Sequence, residues 1–172
     1  AIVLKAYEGR GVVTIQGAGA STVVSPGTSA TAFSLAEDAV WQVYAVGISS
    51  YQIGMHASAG RLRFSAVTFN AAAYVMLLAS TAGVVESYGG FTIAGGGSYF
   101  FRALDGGQVG VSGGAMTLSG TPAFAAFAFS ERGGRATIAP SSISGTATGS
   151  RYSVTTGGGV YTGGGETYLP GS

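Results

Sequence analysis

The segment SYFFRALDGG at residues 98–107 and its echo FAAFAFSERGG at 124–134 decide the fold. Each is a short apolar run ending in a Gly pair. The same outline recurs as AFSLAEDAV at 32–40, QIGMHASAG at 52–60, YVMLLASTAG at 74–83 and SRYSVTTGGG at 150–159. The corner residues Ala39, Gly60, Gly83, Gly107, Gly134 and Gly158 are separated by 21, 23, 24, 27 and 24 positions. A second run follows each of the first five corners and ends at Ile48, Phe69, Ile93, Leu118 and Ile143, with steps of 21, 24, 25 and 25. Two separate landmarks thus share one period, the signature of a repeat architecture.

The runs are three to five residues long and rich in Val, Ile, Phe, Tyr and Thr, which favours strand over helix. Gly at this density would cost a helix about 0.5–1 kcal/mol per interior position. An antiparallel meander would need tight hairpin dipeptides, and Asp-Gly occurs once, at Asp105 and Gly106. The sequence therefore predicts an all-β, single-stranded, right-handed parallel β-helix of about seven coils, each of three short strands. Phe33, Ile53, Met76, Phe100 or Phe101, Phe127 and Tyr152 are expected to form one inward column. Ile48, Phe69, Ile93, Leu118 and Ile143 are expected to form a second. Glycine is expected at the corners to supply positive φ. Strand alternation is expected to send one of Phe100 and Phe101 outward.

The whole chain, 1–172, reads as one domain: an entry coil at 1–27, regular coils at 28–149, and a Gly-rich stretch at 150–172 that is a cap or a transition to further coils. The chain opens AIVLKAYEGRG, without an initiator Met or a secretory leader, and so reads as a processed or excised piece.

Composition excludes several functions. With 31 Gly, no Cys and one His among 172 residues, there is no material for a disulfide framework, thiolate zinc or a multi-histidine metal centre. No cofactor is implied. A net charge of +1 from eight basic and seven acidic residues gives no electrostatic footprint for nucleic acid. The longest apolar run, at 71–79, falls far short of the roughly 20 residues of a membrane-spanning helix.

VTIQGAGASTVVSP at 13–26 resembles the entry coil of pectate-lyase-like β-helix proteins, and GTATGSRYSVTTGGGVYTGGGETYLPGS at 145–172 is similar to a Gly-rich string of bacteriophage tail-fibre and tailspike-like proteins. The resemblance implies a virion or gene-transfer-particle appendage facing the outside of the cell. It also implies a homotrimer that contacts other particle proteins and meets a bacterial surface glycan. A bacterial adhesin or autotransporter passenger is the rival without a virus. The acidic cluster of a pectate-lyase calcium site is missing, so that activity is not carried over.

A polysaccharide depolymerase is the enzymatic alternative, and glycoside hydrolysis needs two carboxyls across the scissile bond, about 5 Å apart in retaining enzymes. The repeat register brings Asp105 and Glu131 to one corner of adjacent coils. Arg102, Arg132 and Arg135 crowd the same corner, and the plainer reading is a solvated ion-pair cluster. His56 could orient a serine, although no G-x-S-x-G elbow exists. Candidate ligand-binding residues are Trp41, Tyr44, Tyr51, Arg61, Arg63 and Arg102. Trp41 and Tyr44 are expected on opposite faces. AFAAFAF at 123–129, apolar on both faces, wants cover on both sides and makes Phe124, Phe127 and Phe129 candidates for an interface between identical chains.

Overall fold

The computed structural model describes residues 2–5, 11–27, 30–50 and 52–172. Its strands, in chain order, begin with β1 (Ile2–Leu4), β2 (Val13–Val24), β3 (Thr31–Leu35), β4 (Val40–Ser50), β5 (Ile53–Ala57) and β6 (Arg61–Ser65). Then come β7 (Thr68–Ala72), β8 (Val75–Ser80), β9 (Val84–Ser87), β10 (Phe91–Ile93), β11 (Gly97–Leu104) and β12 (Gln108–Ser112). The series ends with β13 (Ala115–Leu118), β14 (Ala123–Glu131), β15 (Arg135–Ala139), β16 (Ser142–Ser144), β17 (Thr148–Val154) and β18 (Gly159–Thr162).

All the pairings are parallel, and each joins a strand to the equivalent strand one coil away. One face is the ladder β1-β3-β5-β8-β11-β14-β17. The second face carries β6, β9, β12, β15 and β18, and the third carries β7, β10, β13 and β16. β4 continues from the second face into the third, pairing β6 with its first half and β7 with its second. The result is a three-faced β-solenoid of about six turns, with β17 and β18 beginning one more.

The register reproduces the sequence period. On the second face Trp41 pairs with Leu62, Leu62 with Val85, Val85 with Val109, Val109 with Ala136 and Ala136 with Val160, which are the corner-to-corner steps. On the third face Ile48, Phe69, Ile93 and Leu118 pair in succession. Ile143 departs from the expected column and lies beside Met116.

The other expected column merges three, with Ile53 in a separate one between Thr31 and Val75. The observed register is Phe33, Met55, Leu77, Phe101, Ala128 and Tyr152, of which Tyr152, expected inward, is exposed at 40%. Met76, Phe100 and Phe127 form the neighbouring column, and the rings of Phe100 and Phe127 stack at 5.5 Å. Phe100 and Phe101 are both fully buried, with their rings edge-to-face at 4.6 Å. Neither points outward. A straight strand would alternate, so two consecutive inward side chains require the strand to bend between them. Phe64, Phe69, Phe91, Phe100, Phe101, Phe124 and Phe127 make one aromatic core through centroid contacts of 4.6–6.1 Å.

The reason for the corner glycines also differs from expectation. Among them only Gly60 has a positive φ, at +63°. A Cβ on Gly83 would stand 2.1 Å from the carbonyl oxygen of Ala57, and one on Gly134 would stand 2.3 Å from that of Ala103. These glycines let one coil rest directly on the backbone of the coil before it. Positive φ falls instead just before the corner, on Asp105 and Gly106, on Arg132 and Gly133, and on Thr156 and Gly157. Two successive left-handed residues closed by the Gly107 N–H to Leu104 carbonyl bond make a type I′ turn.

At the far end a 3-10 turn, Glu166–Tyr168, lays the next residue over the last coil. Leu169 is buried in the core cluster. The Tyr168 hydroxyl donates to the Pro140 carbonyl at 2.8 Å, Arg151 Nε to the Leu169 carbonyl at 3.2 Å, and the Ser172 amide to the Gly149 carbonyl at 2.9 Å.

Candidate functional site

Because inward positions are spent on the core, the chemistry lies in the outward columns. On the first face one such column is Ser34, His56, Leu78, Arg102, Phe129 and Ser153. The Arg102 guanidinium lies 5.1 Å from the centroid of Tyr74, 5.5 Å from that of Tyr99 and 5.4 Å from that of Phe129. It donates to the Tyr74 hydroxyl and, at 3.0 Å, to Glu131 Oε1. The Tyr99 and Phe129 rings pack at 4.9 Å. Three rings thus hold one cation in place by attraction to their faces, while Tyr74 keeps 39% of its surface exposed.

Glu131 also receives Arg132 at 3.3 Å, and Arg132 reaches Asp105 at 2.5 Å through Nε and 3.1 Å through Nη2. The register does bring Asp105 and Glu131 to one corner, as the sequence predicts. Their setting, however, is that of a charge chain. The hydrogen bond from Arg132 holds the Asp105 carboxyl below its ordinary range, with desolvation opposing it. A general acid for glycoside cleavage needs the opposite, a carboxyl that keeps its proton near neutral pH. Asp105 also occupies the first left-handed position of its turn, where Asp and Asn are favoured for their backbone tolerance.

His56 Nε2 lies 3.0 Å from Ser80 Oγ, and burial lowers the imidazole pKa, so the ring is neutral at pH 7. Ser80 sits in LLASTAG at the end of β8, without the strained elbow that exposes a catalytic serine. The contact ties two neighbouring coils together.

On the second face the outward column is Thr14, Gln42, Arg63, Glu86, Gly110, Thr137 and Tyr161. Glu86 accepts two bonds from Arg61 Nη1, at 2.8 and 2.9 Å, and one from Arg63 Nε at 2.8 Å. Gln42 donates to the Tyr88 hydroxyl. At the end of the column the Arg135 guanidinium lies 4.3 Å from the Tyr161 centroid, with its Nε 3.3 Å from Thr137 Oγ1. A shallow depression of about 440 Å³ opens beside Asp38, Val40, Gly60, Arg61 and Val84.

The remaining sequence candidates separate cleanly. Trp41 is inward, in register with Leu62 and packed against the core, and its Nε1 donates to the Lys5 carbonyl at 3.0 Å. Tyr44, three residues on, faces outward as expected and is 38% exposed. Tyr51 lies outside the described residues. Phe124 and Phe127 are corrected from interface to core, at 5% and 1% exposure. The pairing of β14 with β17 shifts register between Ala123 and Ala126, and this bulge turns both rings inward. Of the three, Phe129 alone lies on the outer face. Tyr74, Tyr99 and Glu86 had drawn no notice in the sequence, since their partners sit a full coil away. Among the described residues no group of three or more His, Asp or Glu could hold a metal ion, and no helix is long and apolar enough to cross a membrane.

Burial pushes the Glu86 carboxyl up, but hydrogen bonds and charge from Arg61 and Arg63 outweigh it, and the net pKa lies below the ordinary 4.5. A depressed carboxylate contributes stability that is present above its unfolded pKa and is lost as pH falls through the folded one. Urea titrations between pH 6 and pH 3 should show the wild type losing about 1 kcal/mol more than Glu86→Gln. Equal losses would mean that the triad adds nothing.

Compared with protein-family models, curated proteins and solved structures, the chain has no significant match.

Proposed function

We propose that this solenoid is a structural and host-recognition segment of a phage or phage-like appendage, built to meet bacterial surface polysaccharide. The observation that carries the reading is the outer cluster of Tyr74, Tyr99 and Phe129 around Arg102 and Glu131. It joins aromatic rings, on which a sugar can stack, to a charge pair that is neutral as a unit and can share hydrogen bonds with hydroxyls. The low charge of the whole chain agrees with a neutral partner rather than a polyanion. The resemblance of the opening and closing strings supports the appendage, with its place on a virion and its particle partners. Winding is taken as right-handed, the sense favoured when a right-twisted strand crosses over to a parallel neighbour. Three copies are taken to associate side by side, with Phe129 in or beside the contact.

The test is a printed array of bacterial capsular and O-antigen oligosaccharides, read alongside sedimentation. Wild type should bind at least one of them, and Tyr74→Ala should weaken that binding roughly tenfold, the worth of one aromatic contact of about 1.4 kcal/mol, without lowering Tm. No binding anywhere on the array would sink the recognition reading. A species of 17.0 kDa, the mass of one chain, would sink the trimer.

A further inference from the structure

Gly110 is a glycine that the fold does not need. Its φ is ordinary, and a Cβ built on it would meet only Glu86 Cβ, at 3.7 Å, an unstrained contact. This sets it apart from Gly83 and Gly134, where an added methyl would strike the preceding coil. Gly110 sits at the middle of β12, between the inward Val109 and Val111, and its missing side chain would point outward. Glycine inside a strand sacrifices stability, and where neither turn nor backbone contact demands it, something else must come close to the main chain.

The surroundings identify what comes close. One strand away on one side is Glu86, held by Arg61 and Arg63. One strand away on the other is Thr137, linked to Arg135. Along β12 itself, Gln108 and Ser112 flank the gap and are exposed. Two strand spacings put the walls about 10 Å apart between backbones. The floor is peptide and the rim is hydrogen-bonding groups of both kinds. Glu86 is already paired with Arg61 and Arg63, and Arg135 lies over the Tyr161 ring, so the rim carries three guanidinia against one carboxylate and accepts an acidic sugar as readily as a neutral one. An apolar surface of another chain would leave this rim unsatisfied.

We infer that the notch over Gly110 is a subsite for one pyranose ring of a polysaccharide, lying on the backbone with its hydroxyls on Gln108, Ser112, Glu86 and Thr137. The inference rests on the glycan-binding reading above but places a contact on a different face of the solenoid.

The test is Gly110→Val, which fills the notch with a residue suited to a strand, assayed on the same array of capsular and O-antigen oligosaccharides beside Tyr74→Ala. The expected result is an unchanged or raised Tm, an unchanged sedimentation coefficient and at least tenfold weaker binding. Oligosaccharide added to labelled wild type should also shift the Gly110 amide resonance. Binding of Gly110→Val at wild-type strength while Tyr74→Ala binds weakly would overturn the subsite and leave the recognition reading standing. Failure of wild type on every spot would remove both. If Gly110→Val instead dissociated an oligomer, the notch would hold another chain and the saccharide assignment would be wrong.

Discussion

Phe100→Ala should cost about 3–5 kcal/mol and lower the melting temperature by about 10–15 °C. The Phe100 ring is fully buried and touches the rings of Phe69, Phe91, Phe101, Phe124 and Phe127, which come from β7, β10, β11 and β14. Those strands belong to successive coils and to two different faces. Removing the ring opens a void at the point where the faces meet, and the flanking coils are held at a fixed spacing by their backbone ladders. Neighbours therefore cannot collapse to fill it, which puts the loss toward the upper end of its range. Thermal unfolding followed by circular dichroism checks the value. A loss below 1 kcal/mol would show that the aromatic core is loosely packed.

Gly83→Ala is expected to cost about 3 kcal/mol or more, at or above the upper end of overpacking penalties, for the addition of one methyl. That methyl would lie 2.1 Å from the Ala57 oxygen, 2.4 Å from its carbonyl carbon and 2.9 Å from the Ser58 nitrogen. All three atoms are backbone and belong to the adjacent coil. Relief requires prising the coils apart where the Val84 amide bonds to the Gly60 carbonyl. Gly27→Ala serves as the control, since a methyl there meets nothing within 4 Å and its φ is ordinary. Equal stabilities for the two variants would mean that the corner is not a close approach.

The period was legible in the sequence because glycine marks every corner after the first, at Ala39, and the strands after it begin on the next residue, as with Arg61, Val84, Gln108 and Arg135. Which of two neighbouring residues faces inward was not. Alternation presumes a straight strand, and β11 bends between Phe100 and Phe101. For the same reason the AFAAFAF run reads as a two-faced strand, whereas the register shift in β14 hides Phe124 and Phe127 in the core. The charged corner was half legible. Asp105 and Glu131 do fall together and pair with Arg102 and Arg132, as the ion-pair reading has it, whereas Arg135 turns away to the Tyr161 ring. Tyr74 and Tyr99 escaped because nothing in a local window distinguishes a tyrosine that holds a guanidinium from one that fills a wall.

The plug formed by Leu169 bears on how such a molecule avoids becoming a fibre. Parallel strands stacked in register at one strand spacing are the geometry of cross-β filaments, and an open end offers a template on which more strands can add. At the β17 end a newcomer would have to expel Leu169 from the core and break the Ser172 to Gly149 hydrogen bond before it could pair. Leu169 thus covers the core beneath β17 as a side chain rather than as a further strand. Displacing Leu169 would expose the core and the β17 edge together.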